Sequence, residues 1–130
     1  MRSIYVLTVA GLALSLLLAS VAGAASTPLL TTSLTAGTPV QTTIGGSPAV
    51  RIDYTNTLST SMLVIAYLTV QNSLGQTVEV SVATANMNSG GTLPVYLVMY
   101  GLPSGHYTAD VFATTGGVPV STVSSLSVTL

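Results

Sequence analysis

The sequence predicts an all-β protein: an antiparallel β-sandwich of about seven strands, preceded by one N-terminal hydrophobic helix. Three observations carry this reading. Period-two alternation of apolar and polar residues dominates from Ala49 onward. Clusters of Gly, Asn and Pro interrupt the alternation at short intervals. Val, Thr and Tyr, which suit a pleated, half-buried surface, are abundant, and no helical period occurs after residue 26.

The first element is apolar. Arg2 supplies a positive start, and Ile4 to Leu18 is interrupted only by Thr8, Gly11 and Ser15. The small-residue run Val21-Ala22-Gly23-Ala24-Ala25 follows, with Ala22 and Ala24 at the −3 and −1 positions of an A-x-A site. Residues 1–24 therefore read as a secretory signal peptide cleaved after Ala24. The mature chain would hold 130 − 24 = 106 residues with formal charge 1 − 3 = −2. The alternative is a retained hydrophobic helix, since Ile4 to Ala25 is 22 residues and roughly 20 suffice to span a bilayer. Met1-Arg2-Ser3 weakly resembles an archaeal prepilin processing site, with cleavage after Ser3, and such a helix would pack in a filament core. Pro28 would stop a helix that pilins usually continue. Either reading exports the rest of the chain and gives it contact with a membrane only through this segment.

Residues 25–47 form an extended Thr-rich arm containing Leu29, Leu30, Leu34, Val40 and Ile44, with Gly37 and Pro39 between its two extended stretches. Gly45-Gly46 punctuates it, and residues 48–130 form the sandwich domain. Val50, Ile52 and Tyr54 oppose Arg51, Asp53 and Thr55 on the first half-buried strand. Met62 to Val70 is apolar on both faces, as expected of a central strand covered twice. After an Asn72-Ser73-Leu74-Gly75 turn, Val78, Val80 and Val82 alternate with Thr77, Glu79 and Ser81. Beyond the Asn86–Gly91 loop, Leu93, Val95, Leu97 and Met99 oppose Tyr96, Val98 and Tyr100. Tyr107, Ala109, Val111 and Ala113 alternate with His106, Thr108, Asp110 and Phe112, and Gly116-Gly117 closes that strand. Val120, Leu126, Val128 and Leu130 share one parity in the last stretch.

The segment Gly101-Leu102-Pro103-Ser104-Gly105-His106-Tyr107 resembles the Leu-Pro-x-Gly-x-Tyr corner that enters a late strand of fibronectin-III-like and immunoglobulin-like (Ig-like) surface domains. Together with Asn72–Gln76 and Tyr107–Val111, it makes residues 48–130 similar to the small secreted Ig-like proteins of archaeal cell surfaces. The resemblance implies an Ig-like sandwich and a role in extracellular threads or pili. The chain departs from the pattern in having no Trp and no Cys pair, and its corner is one residue shorter than the common tyrosine-corner spacing.

Composition narrows the function classes. Charged residues are 4% of the chain, namely Arg2, Arg51, Asp53, Glu79 and Asp110, against roughly 25% in an ordinary soluble domain. Too few cations exist to neutralise nucleic-acid phosphates. Without Cys, neither a disulfide nor a thiolate metal site can form. Polarity comes instead from 16 Ser and 20 Thr, within a chain that is 48% hydrophobic, so disorder is not implied. No catalytic, cofactor-binding or metal-ligating set is predicted. His106 and Asp110 lie on one strand face but about 13 Å apart at ~3.3 Å per residue, and no G-x-S-x-G elbow accompanies the serines. Arg51 and Asp53, two positions apart, form an exposed charge pair or, alternatively, an intersubunit pair. Asn56, Asn72, Asn86 and Asn88 all lack the N-x-[ST] sequon.

A hydroxylated, nearly uncharged exported chain lacks the repulsion that keeps copies apart. The expected role is thus a non-enzymatic subunit of an extracellular filament, with copies of itself as partners. One route is strand donation, in which residues 27–44 complete a neighbour's sheet and Leu29, Leu30, Leu34, Val40 and Ile44 fill its apolar pockets. The competing expectations are a pilin-like subunit built on residues 4–25 and a monomeric module binding surface glycans or other envelope proteins.

Overall fold

The computed structural model describes residues 33–130, which form nine β-strands and no helix. The N-terminal segment, Leu29 and Leu30 lie outside the described residues. In chain order the strands are β1 (Leu34–Ala36), β2 (Val40–Ile44), β3 (Ser47–Asn56), β4 (Met62–Gln71) and β5 (Thr77–Met87), followed by β6 (Thr92–Val98), β7 (His106–Thr115), β8 (Val118–Pro119) and β9 (Ser124–Thr129). All pairings are antiparallel.

One sheet has β3 at its centre, with β6 on one side and β1 then β2 along the other. The second has β4 between β5 and β7, and β7 carries β8 and β9 on its far side. The sheets face each other across one core. Val50, Ile52, Tyr54, Val95 and Leu97 come from the first sheet; Val64, Leu68, Val70, Val111 and Val128 come from the second. Their alternation with outward residues is the pleat itself, since successive side chains point to opposite faces.

The arm–domain boundary expected at 47/48 falls at the start of β3, just past a hairpin turn. Gly45 and Gly46, with φ of 57° and 82°, form the two-residue turn that joins β2 to β3. Two positive φ angles match the twist of the flanking strands, which is why Gly serves at both positions. Residues 34–44 therefore belong to the sheet of their own domain. Leu34 is 3% exposed, in the core, and its N–H donates to the Val120 carbonyl at 2.9 Å.

Strand β4 is central, as expected, but its second face is covered only in part. Met62, Val64, Ala66, Leu68 and Val70 are buried, whereas on the other face Leu63 is 50% exposed, Ile65 and Tyr67 are half-buried and Thr69 is buried. Strand β5 has the same asymmetry. Register places Ser81, Ala83 and Ala85 beside Leu68, Ala66 and Val64 on the core side, so Val80 and Val82 face outward.

Two polar devices hold the ends. The buried Asn56 amide donates to the carbonyls of Thr60, Met87 and Asn88 and accepts the Leu58 N–H at 2.9 Å, so its polar capacity is satisfied inside the fold. Tyr107 Oη donates to the Pro103 carbonyl at 2.7 Å, closing the corner despite its short spacing.

Candidate interaction surface

The outer face of the second sheet is built by register. Val82 on β5 lies opposite Tyr67 on β4, and Tyr67 lies opposite Phe112 on β7. The Tyr67 and Phe112 rings stack with centroids 5.1 Å apart and planes 12° from parallel. Leu63, Ile65 and Val80 flank this row on the same face. Val82 is 54% exposed, so the row opens to solvent toward β5. Asp110 is the nearby carboxylate, and it accepts the Ser125 hydroxyl from β9. A face of this kind offers apolar area and ring edges with almost no charge to desolvate, which suits contact with another protein surface.

The outer face of the first sheet differs. Arg51 Nε and Nη2 donate to Asp53 Oδ1 and Oδ2 at 3.1 and 3.3 Å, a two-pronged pair, and the guanidinium lies 6.0 Å from the Tyr96 ring centroid. The two side chains read as a charge pair are thus brought together within one chain. Val40 and Ile44 are exposed on β2, at 48% and 40%, while Leu34 is buried. These residues of the expected assembly arm are therefore split between surface and core.

Remaining titratable groups are dispersed. Glu79 Oε1 accepts the Tyr100 N–H at 2.7 Å. Burial raises the Glu79 carboxyl above the usual carboxylate range, and the Tyr100 bond offsets part of that rise. His106 Nδ1 meets Thr129 Oγ1 at 3.2 Å, at one end of a groove of about 260 Å³ lined also by Asn72, Ser73, Thr108 and Ser127. No carboxylate lines that groove. Among the described residues no group of three His, Asp or Glu converges as a metal site.

Sequence reasoning missed two elements of the surface. One is the outward orientation of the β5 valines, which alternation reports without saying which parity faces inward. The other is a latch between the sheets: Gln41 Nε2 donates to the Thr129 carbonyl at 2.8 Å and Gln41 Oε1 accepts the Thr129 N–H at 3.1 Å. Its partners are 88 positions apart, so no local signal announces it.

No protein-family profile and no curated protein matches the chain. Among solved structures, it is similar to DesR, a β-glucosidase from Streptomyces venezuelae solved with D-glucose, at 12% identity and a TM-score of 0.57. That match covers 76% of this chain and 15% of the enzyme's chain. The likeness is one of fold alone.

Proposed function

We propose that this chain is an exported, non-enzymatic subunit of an extracellular surface filament, built on an Ig-like sandwich and assembling by packing of folded domains. The observation that carries the reading is the row Val82–Tyr67–Phe112, an apolar strip on a face with almost no charge that is closed at Phe112, 7% exposed, and open at Val82, 54% exposed. Covering the exposed half of Val82 contributes about 1 kcal/mol, roughly half the value for burying a fully exposed Val. The fold part of the proposal is supported by the strand path. Counting β1 with β2 and β8 with β9, which follow one another along one margin each, gives three ladder positions packed on four. That layout, with Tyr107 tied back to Pro103, suits a fibronectin-III-like domain.

Because Leu34–Ala36 and Val40–Ile44 are strands of their own sheet, donation of residues 27–44 would first require stripping them from β3. Surface packing needs no such step. Light scattering of the full chain across a concentration series, with negative-stain microscopy, tests the reading. Concentration-dependent assemblies are expected; a lone monomer at every concentration, or turnover of a substrate, overturns it.

A further inference from the structure

The sandwich treats its margins unequally. An unpaired strand margin is a template for another chain, and proteins blunt such margins with short strands, Pro or covering groups. Strand β9 is met at Thr129 by the Gln41 amide, which offers a donor and an acceptor as a neighbouring strand would. Strands β1 and β2 are three and five residues long and are interrupted by Gly37-Thr38-Pro39. Strand β6 carries Pro94 in its middle. Strand β5 keeps such devices to one end. It is eleven residues long and has no Pro; its one charge, Glu79, which accepts the Tyr100 N–H, and its register shift opposite Val70/Gln71 both lie toward Thr77, and the stretch from Val80 to Met87 has neither.

We propose that the free margin of β5 pairs with the β5 of a second copy of this chain, antiparallel, about a two-fold axis through Val82. The inference rests on the self-associating reading above and gives it an interface. Charge excludes one register, and position and exposure single out another. With Val82 at the axis, Ser81 meets Ala83, Val80 meets Thr84, and Glu79 meets Ala85, so no like charges oppose. An axis at Glu79 would set two carboxylates against each other, which is unfavourable. Val82 is also the middle residue of the strand and the one large apolar side chain on it that is more than half exposed. Pairing there carries the apolar row of one copy directly into that of the other, while main-chain hydrogen bonds supply affinity. A two-fold contact of this kind closes on itself, so it makes the building block of the filament and leaves propagation to another surface.

The full chain contains no cysteine, so Val82→Cys introduces a unique reporter. Under mild oxidation V82C is expected to form a disulfide-linked dimer on a non-reducing gel, while V40C on the opposite sheet stays uncrosslinked. Val82→Lys sets two ammonium groups together at the axis and is expected to raise the dimer dissociation constant about tenfold or more, with an unchanged circular dichroism spectrum. Wild-type association by V82K, or assembly of V82C without a disulfide between the two introduced thiols, overturns the β5 interface while leaving the filament reading standing. If V82K blocks assembly yet V82C never links to itself, another segment occupies the margin and the second-copy pairing fails. A wild-type chain that stays monomeric overturns both.

Discussion

On the first sheet the outer face holds Arg51 and Asp53 in a closed two-pronged pair beside Tyr96; on the second it holds Val82, Tyr67 and Phe112 in a row that is open at Val82. The ion pair satisfies its own charges and asks for no neighbour. The apolar row is already closed at Phe112 and gains by being covered at its Val82 end. The difference teaches that one sandwich can carry a finished face and an unfinished one, and that the ion pair sits on the finished side.

Strand β4 gives the sharpest way to break this comparison, because it bears leucines on both faces. Leu68→Ala, in the core, is expected to lower unfolding free energy by about 2–5 kcal/mol, whereas Leu63→Ala should cost under about 1 kcal/mol. Urea denaturation of the two variants measures both. Equal losses would mean that the outer face is as load-sharing as the core.

Tyr54 and Tyr96 sharpen it on the other sheet. Burial pushes the Tyr54 hydroxyl from 10.0 up to about 12, an effect that the nearby Ser121 hydroxyl partly offsets. The Tyr54 hydroxyl nonetheless lacks a hydrogen bond of good geometry. Because the folded value is raised, the native state holds this proton longer than the unfolded chain does. The associated stability is complete below pH 10 and is lost as pH rises through about 12, by about 2–3 kcal/mol. Tyr54→Phe should flatten that alkaline limb without a large cost at neutral pH, since it removes an unpartnered buried hydroxyl. Tyr96→Phe, on the exposed face, should leave the limb in place. Denaturation midpoints between pH 8 and 12 distinguish them.

Two smaller effects complete the series. Tyr107→Phe removes the bond to the Pro103 carbonyl and should cost about 0.5–1.5 kcal/mol in thermal unfolding. Arg51→Ala should cost at most about 1 kcal/mol, and less in high salt, because the pair is substantially exposed. A larger loss from Arg51 than from Tyr107 would show that the ion-paired face is not self-contained.

Much of the fold was legible where alternation and turns agree. Val50, Ile52 and Tyr54 on β3, and Val95 and Leu97 on β6, face the core as their parity indicates, because Arg51, Asp53 and Tyr96 leave no doubt about the wet side. Strands β4 and β5 were less legible for a physical reason. A strand apolar on both faces reads the same whether two layers cover it or one layer covers it and the other face awaits a partner. Along the middle of β5 the core side is filled by Ser81, Ala83 and Ala85, small residues that no hydropathy pattern marks as interior, and Val78 and Met87 reach the core only at its ends. Gly45-Gly46 reads as a break between segments because a hairpin turn and a linker share the same composition; only the pairing of Val40 with Arg51 tells them apart. The candidate surface inherits these ambiguities, since it consists of the outward sides of β4, β5 and β7.

The Gln41 amide has a mechanical consequence. Tension applied at Leu130 would shear β9 along β7, loading its ladder bonds in parallel, and the Leu130–Gly105 pair of main-chain bonds lies first in line. Gln41 bolts Thr129 to β2, so the pull is shared with the opposite sheet before β9 can slide. A domain drawn taut would thus resist as one laminated block, and cutting that single side chain back to Ala would let its layers yield one at a time.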